Sequence, residues 1–303
     1  MSPISVNFTE RINVGRNETV CGVTKLRAEI YVLCQPFPSV IRVFEGRRPF
    51  RLQEEIDIKD IEDQKDLQSS EKDNCLYVSA QREKCVWKIT RQTDYQHNVF
   101  RWLTIDYAPH TLSVSSSGHL LLVTAWSSVL NIYGSEAELL QSIQLPRDIE
   151  DSIHAVETSM GNFIILHQCM ETGERETGPN GRIKEWTWAV SELTRDGQMV
   201  VSRFLPSNET QKLENPRYLT LDSDDQVYVT DTGNDRVILL DSDLKWNRSL
   251  CSSMEEHEEE EEEEETVIRR PLRSYYDERE KQLIVGGGYF YLGGFNIYTV
   301  RQQ

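Results

Sequence analysis

Between Asn215 and Leu250 the chain reads as four short strands divided by turns, a pattern that few folds accept. Tyr218, Leu219 and Leu221 are apolar and β-favouring, residues 222–225 supply turn chemistry, and residues 227–229 (Val-Tyr-Val) form a short run of the kind buried on both faces. A second turn over residues 231–235 leads into a third strand, residues 236–240. The polar residues 241–243 divide that strand from a fourth at residues 244–250. Four antiparallel strands in so short a span make one blade of a propeller.

The buried second strand recurs. Counterparts of residues 227–229 lie at residues 30–33, 76–78, 120–123, 163–166 and 283–285, which gives six copies. Successive starts are 46, 44, 43, 64 and 56 residues apart, and the two long intervals contain a polar insertion (residues 170–184) and an acidic one (residues 255–265). Without the insertions both intervals fall between 45 and 49, within propeller spacing. Third strands are expected at residues 40–44, 85–89, 128–133, 186–190, 236–240 and 295–300. Fourth strands are expected at residues 50–56, 100–105, 139–145, 199–205 and 244–250. The sixth copy runs out of chain before its fourth strand, whereas residues 4–8 alternate apolar and polar and belong to no copy. Pairing residues 4–8 against residues 295–300 would remove the last free edge. The expectation is an all-β, six-bladed β-propeller of four-stranded antiparallel blades, a single domain over residues 1–303, with the N-terminal strand closing the last blade.

The wording of the fifth copy is specific as well as its spacing. Pro216, the run at residues 227–231 (Val-Tyr-Val-Thr-Asp) and residues 234–237 (Asn-Asp-Arg-Val) closely resemble the NHL repeat, a propeller-blade family. Residues 74–89 look like a degenerate NHL hairpin, and His154 is expected to open blade four as Pro216 opens blade five. The resemblance implies a ligand surface on the face where the chain enters the innermost strands and where second strands turn into third strands. It also implies that Asp231, Asn234, Asp235 and Arg236 serve turns and inter-blade hydrogen bonds.

Composition narrows the function. The net charge is −17, and ten of the negative charges are Glu255, Glu256 and residues 258–265; without them the balance is −7. An acidic chain repels phosphate backbones, so nucleic acid is not an expected partner. No run approaches the ~18 apolar residues of a membrane helix, and residues 1–10 lack the pattern of a signal segment, so a cytoplasmic protein without membrane contact is expected. Six cysteines without a Cys-x-x-Cys pair indicate neither a disulfide framework nor a zinc knuckle. Cys21 and Cys34 flank the first hairpin, where a cross-strand bridge is thinkable only in an oxidising compartment.

The ligand face would collect His110, His154 and Arg217 near the starts of inner strands, the insertion 170–184, the acidic tract 255–265, and Tyr289, Phe290 and Tyr291 in the Gly-rich stretch 286–294. His110 and His154 sit at roughly equivalent places in adjacent blades, and paired imidazoles at a channel mouth could hold a metal, as in the propeller of peptidyl-hydroxyglycine lyase. The plainer reading is two separately hydrogen-bonded histidines. Asp66 falls near the matching place in blade two, and Arg217 and Leu272 in blades five and six. No metal, cofactor or catalytic residue is assigned. The stretch 286–294 lacks the Gly-Lys-Ser/Thr ending of a phosphate loop and reads as a flexible aromatic loop that could anchor a protein.

The expected function is therefore a monomeric, non-enzymatic interaction module or scaffold that binds a protein partner on its loop-rich face. Three alternatives stay open: a metal-dependent lyase or hydrolase in the central channel, an RNA-binding NHL domain, and the substrate-recruiting piece of a ubiquitin ligase. The last would resemble the propeller of tripartite-motif proteins without their RING and B-box.

Overall fold

The computed structural model describes residues 4–15, 18–35, 39–93, 96–124, 128–170, 186–250, 270–289 and 292–302. These residues form six four-stranded antiparallel sheets. Strand β1 (Ile4–Gly15) stands apart in sequence from the sheet it joins. Blade one follows as β2 (Thr19–Leu26), β3 (Glu29–Gln35), β4 (Val40–Glu45) and β5 (Leu52–Asp57). Blade two is β6 (Gln64–Ser70), β7 (Cys75–Ala80), β8 (Cys85–Thr93) and β9 (Gln96–Thr104). Blade three is β10 (Pro109–Val114), β11 (Leu120–Thr124), β12 (Val129–Tyr133) and β13 (Leu139–Gln144). Blade four is β14 (Glu150–Glu157), β15 (Phe163–Met170), β16 (Trp186–Leu193) and β17 (Val200–Phe204). Blade five is β18 (Pro216–Leu221), β19 (Val227–Asp231), β20 (Arg236–Leu240) and β21 (Trp246–Leu250). Blade six takes three strands from the end of the chain, β22 (Pro271–Asp277), β23 (Gln282–Tyr289) and β24 (Leu292–Gln302), and completes itself with β1.

The first strands of neighbouring blades touch all the way round, including β2 against β22, so the ring is closed. Each blade packs both faces against its neighbours, which is why the second strands are apolar without alternation: every residue of β7 and β19 is buried. Core clusters accordingly mix adjacent blades. Ile41 and Ile56 of blade one pack with Leu67 and Leu76 of blade two, and Val20 and Ile30 pack with Ile284 and Phe295 of blade six.

The seam between the two ends of the chain is well built. Strand β1 pairs with β24 from Ile4↔Gln302 to Gly15↔Gly293, longer than the five residues expected. The Phe44 and Phe295 rings meet edge to face at 5.2 Å. Lys25 and Asp277 form a buried ion pair from β2 to β22.

The Gly-rich stretch departs from expectation. Residues 286–288 and 293–294 belong to paired strands, with Gly287 opposite Gly294 and Gly288 opposite Gly293. A Cβ on Gly293 would lie 1.9 Å from the Glu18 carbonyl oxygen, and one on Gly286 2.4 Å from the Val20 side chain. Close passage of the chain from β1 into β2 requires glycine there, so these glycines serve packing.

Asp231, Asn234 and Arg236 form one hydrogen-bonded group at the second turn of blade five. The Asp231 carboxylate accepts from the Glu214 amide, the Asn234 amide and Arg236 Nε at 2.7 to 2.8 Å. Arg236 donates onward to the Thr210 and Lys212 carbonyls, both at 2.7 Å, which ties blade five to the segment arriving from blade four. Helical residues among those described are confined to two three-residue turns, and no helix is long and apolar enough to cross a membrane.

Candidate functional site

The six inner strands share a bulge near their start. Their pairing with the second strand skips Cys21, Lys65, His110, Arg217 and Leu272, and also the stretch just before His154. The residues immediately after the skip are thereby equivalent: Gly22, Asp66, Thr111, His154, Tyr218 and Arg273, one from each blade. His110 and His154 are consequently not equivalent, because His110 is the bulged residue and His154 lies one step further along its strand. His154 corresponds to Tyr218 rather than to Pro216, for the same reason.

Four of these residues fill the hub. Arg273 crosses from blade six to blade two and donates from Nε to Asp66 Oδ1 at 2.9 Å; blade one contributes only Gly22 at this level. The other guanidinium nitrogens donate to the Leu272 and Lys65 carbonyls at 2.8 Å. Asp66 also accepts from the Leu67 and Leu112 amides at 2.9 and 2.8 Å. Burial pushes the Asp66 carboxyl up, opposed by Arg273 and these amides. The Arg273 guanidinium lies 4.9 Å from the centre of the Tyr218 ring, which stacks on His154 at 3.9 Å. Tyr218 donates to the Leu112 carbonyl at 3.3 Å and accepts from Gln68. With Asp66, His154, Tyr218 and Arg273 at 0, 1, 3 and 6 % exposure, the middle of the ring is closed by side chains.

His154 is held as a neutral imidazole. Its Nδ1 accepts from the Leu219 amide at 3.2 Å, so Nε2 carries the proton and donates to the Leu112 carbonyl at 3.1 Å. Burial pushes its pKa down to about 3. Neither nitrogen is left to ligate a metal, and among the described residues no three His, Cys, Asp or Glu side chains come together as a metal site.

Above this plug, on the face where the chain enters the inner strands, lies a cleft of about 400 Å³. Arg217 and Asn215 line it from blade five, Asp151, Ser152, Ile153, Gln168 and Trp188 from blade four, His110 from blade three and Gln81 from blade two. Two of its side chains have buried nitrogens without a hydrogen-bond partner, His110 Nδ1 and Arg217 Nε. Burial and the positive charges of Arg273, Arg217 and Lys65 hold His110 down at about 4, so it is neutral near pH 7. Burial and the neighbouring Arg273 and Arg270 also depress Arg217.

Of the residues expected on the ligand face, the structure brings His110 and Arg217 together in one cleft and puts His154 in the plug. Tyr289 is placed as a strand residue opposite Leu292. Phe290, Tyr291, the acidic tract 255–265 and most of the insertion 170–184 lie outside the described residues. Spacing alone offers Arg217 and Leu272 at the matching places of blades five and six, whereas the structure turns the next residues, Tyr218 and Arg273, into the hub. The signal was present in the Pro-x pairs Pro109-His110, Pro216-Arg217 and Pro271-Leu272, each of which precedes the inward residue by one position. Cys21 and Cys34 are buried free thiols, and Cys21 occupies the bulge of β2.

No family model matches the chain, and no curated protein matches it. Solved structures do. A structural-genomics protein of unknown function from Bacteroides thetaiotaomicron aligns with TM-score 0.64 at 10% identity, over 98% of this chain and 76% of that one. A catalytically inactive virginiamycin B lyase from Staphylococcus aureus with quinupristin aligns with TM-score 0.61 at 10% identity, over 98% and 99%. Hydrazine synthase of Kuenenia stuttgartiensis aligns with TM-score 0.58 at 11% identity, over 90% and 94%. Likeness at such identity establishes the six-bladed propeller fold and leaves activity open.

Proposed function

We propose that this chain is an NHL-like propeller that works as a non-enzymatic binding module, with its partner received on the upper face at the cleft of Arg217 and His110. The observation that carries the reading is the pair of buried, unsatisfied nitrogens lining one cleft above a fully bonded hub. Buried polar groups are ordinarily satisfied, and exceptions grouped in a concavity are a mark of a ligand site. The plug of Asp66, Arg273, Tyr218 and His154 argues against chemistry in the middle of the ring, because every one of these side chains is bonded within the chain. The NHL likeness rests on Pro216 and on residues 227–231 and 234–237, within which Asp231 accepts from Asn234 and Arg236.

The test is affinity capture followed by protein identification, with wild type compared against the double variant Arg217→Glu with Tyr289→Ala. Partners held by wild type and lost from the variant support the reading. Identical partner lists contradict it.

A further inference from the structure

Arg217 is half-buried and differs from the other buried or half-buried arginines that pack in the core. Arg273 is paired with Asp66, Arg236 with Asp231, and Arg42 with Glu18 and Glu55. Among the described residues the Arg217 guanidinium has neither an ion pair nor a hydrogen bond, and its Nε is buried. A partly desolvated cation without a counter-charge is unfavourable in the free protein, and an anion in the cleft would remove that penalty. His110 supplies a second unsatisfied nitrogen in the same cleft, from a different blade.

The charge balance limits the size of that anion's charge. Lys65 is paired with Asp63 and Arg273 with Asp66, and Arg270, the other cation near Arg217, is not free either, so none of the three is spare. Asp151 also lines the cleft and repels any anion there, a doubly charged one more than a singly charged one. The guanidinium edge matches the two coplanar oxygens of a carboxylate, and a neutral imidazole can add one N–H donor. Trp188 and Ile153 offer apolar surface to whatever carries the acid.

We propose that the cleft is a receptor for a single carboxylate, gripped by the Arg217 guanidinium and hydrogen-bonded by His110 Nδ1, as borne by an acidic residue of an extended peptide. This rests on the upper face being the binding surface.

The experiment titrates the full chain with an acetylated, amidated tripeptide containing one glutamate, its glutamine counterpart, succinate and inorganic phosphate. The readouts are the His110 ring resonances by NMR and tryptophan fluorescence. The glutamate peptide is expected to shift the His110 signals and raise its pKa, since an added negative charge favours the imidazolium. The glutamine peptide is expected to bind at least about tenfold more weakly, as is the glutamate peptide to Arg217→Met, with Arg217→Lys between. Succinate matching the peptide would assign the site to free carboxylic acids. Phosphate binding more tightly than any carboxylate would overturn the proposal, as would equal affinity for the glutamate and glutamine peptides, a comparison that needs only wild type. Partners lost from the Arg217→Glu, Tyr289→Ala variant without carboxylate binding would overturn this inference and leave the proposed function standing; carboxylate binding with unchanged partner lists would do the reverse.

Discussion

Two arginines one blade apart, the half-buried Arg217 and the buried Arg273, show how pairing decides what a desolvated charge does. Arg273 is fully bonded, so Arg273→Met strands the Asp66 carboxylate in the hub and is expected to cost ~3–5 kcal/mol by urea denaturation. Arg217→Met strands no partner, and the same measurement should find it near neutral or slightly stabilising. The buried imidazoles predict the response to acid. His154 and His167 are 1 and 0 % exposed, and burial pushes them to about 3 and about 4, below an unfolded value near 6.5. The unfolded chain therefore takes up more protons as pH falls, so their stabilisation is complete above about 6.5 and declines by ~1.4 kcal/mol per unit for each below it. Asp222 and Asp231, pushed up by burial, act in the opposite sense. His154→Gln isolates the histidine share: its deficit in Tm against wild type should shrink between pH 7 and pH 5, and a constant deficit would contradict the assignment. At this scale the sequence was only half legible. His110, Arg217 and Asp66 can be picked out by residue type and place. A one-residue bulge is silent in composition, however, and it changes which neighbour faces the hub, which is why Leu272 was chosen over Arg273 and why the two histidines looked equivalent.

Strands were more legible than sites, because a run buried on both faces is a signal that survives divergence of wording. The expected third strand of blade five, residues 236–240, coincides with β20, and the outer strands of the other blades agree to within a few residues at their ends. The glycines 286–288 and 293–294 are strand rather than loop, since glycine in a loop and glycine under a crossing chain look alike in one dimension. Gly293→Ala discriminates: its methyl would meet the Glu18 carbonyl, and a loss of ~1–3 kcal/mol in urea denaturation is expected, where a loop glycine would lose little. Removal of residues 1–12 should leave β24 as an open edge and produce aggregation or a large fall in Tm. A truncated chain that melts like wild type would show that β1 contributes nothing to the seam.

For the molecule as a whole, the ring brings together residues that the sequence keeps far apart. Asp66 and Arg273 meet across the hub only because blade six closes on blade one, and the cleft above takes side chains from four consecutive blades. Period and insertion lengths were enough to anticipate that closure, whereas the plug and the cleft depend on side-chain directions that period does not carry. Closure is also the premise of both functional readings, since an open arc would leave Arg273 without Asp66. Thr9 and Thr299 lie across the seam with their hydroxyls 2.9 Å apart, which permits a direct measurement. In the double variant Thr9→Cys, Thr299→Cys, oxidation should form one disulfide within a single folded chain and raise the Tm, reversibly with reductant. If both introduced thiols instead remain free and fully reactive in the folded protein, the N-terminal strand is not seated on the last blade and the account of a closed ring is wrong.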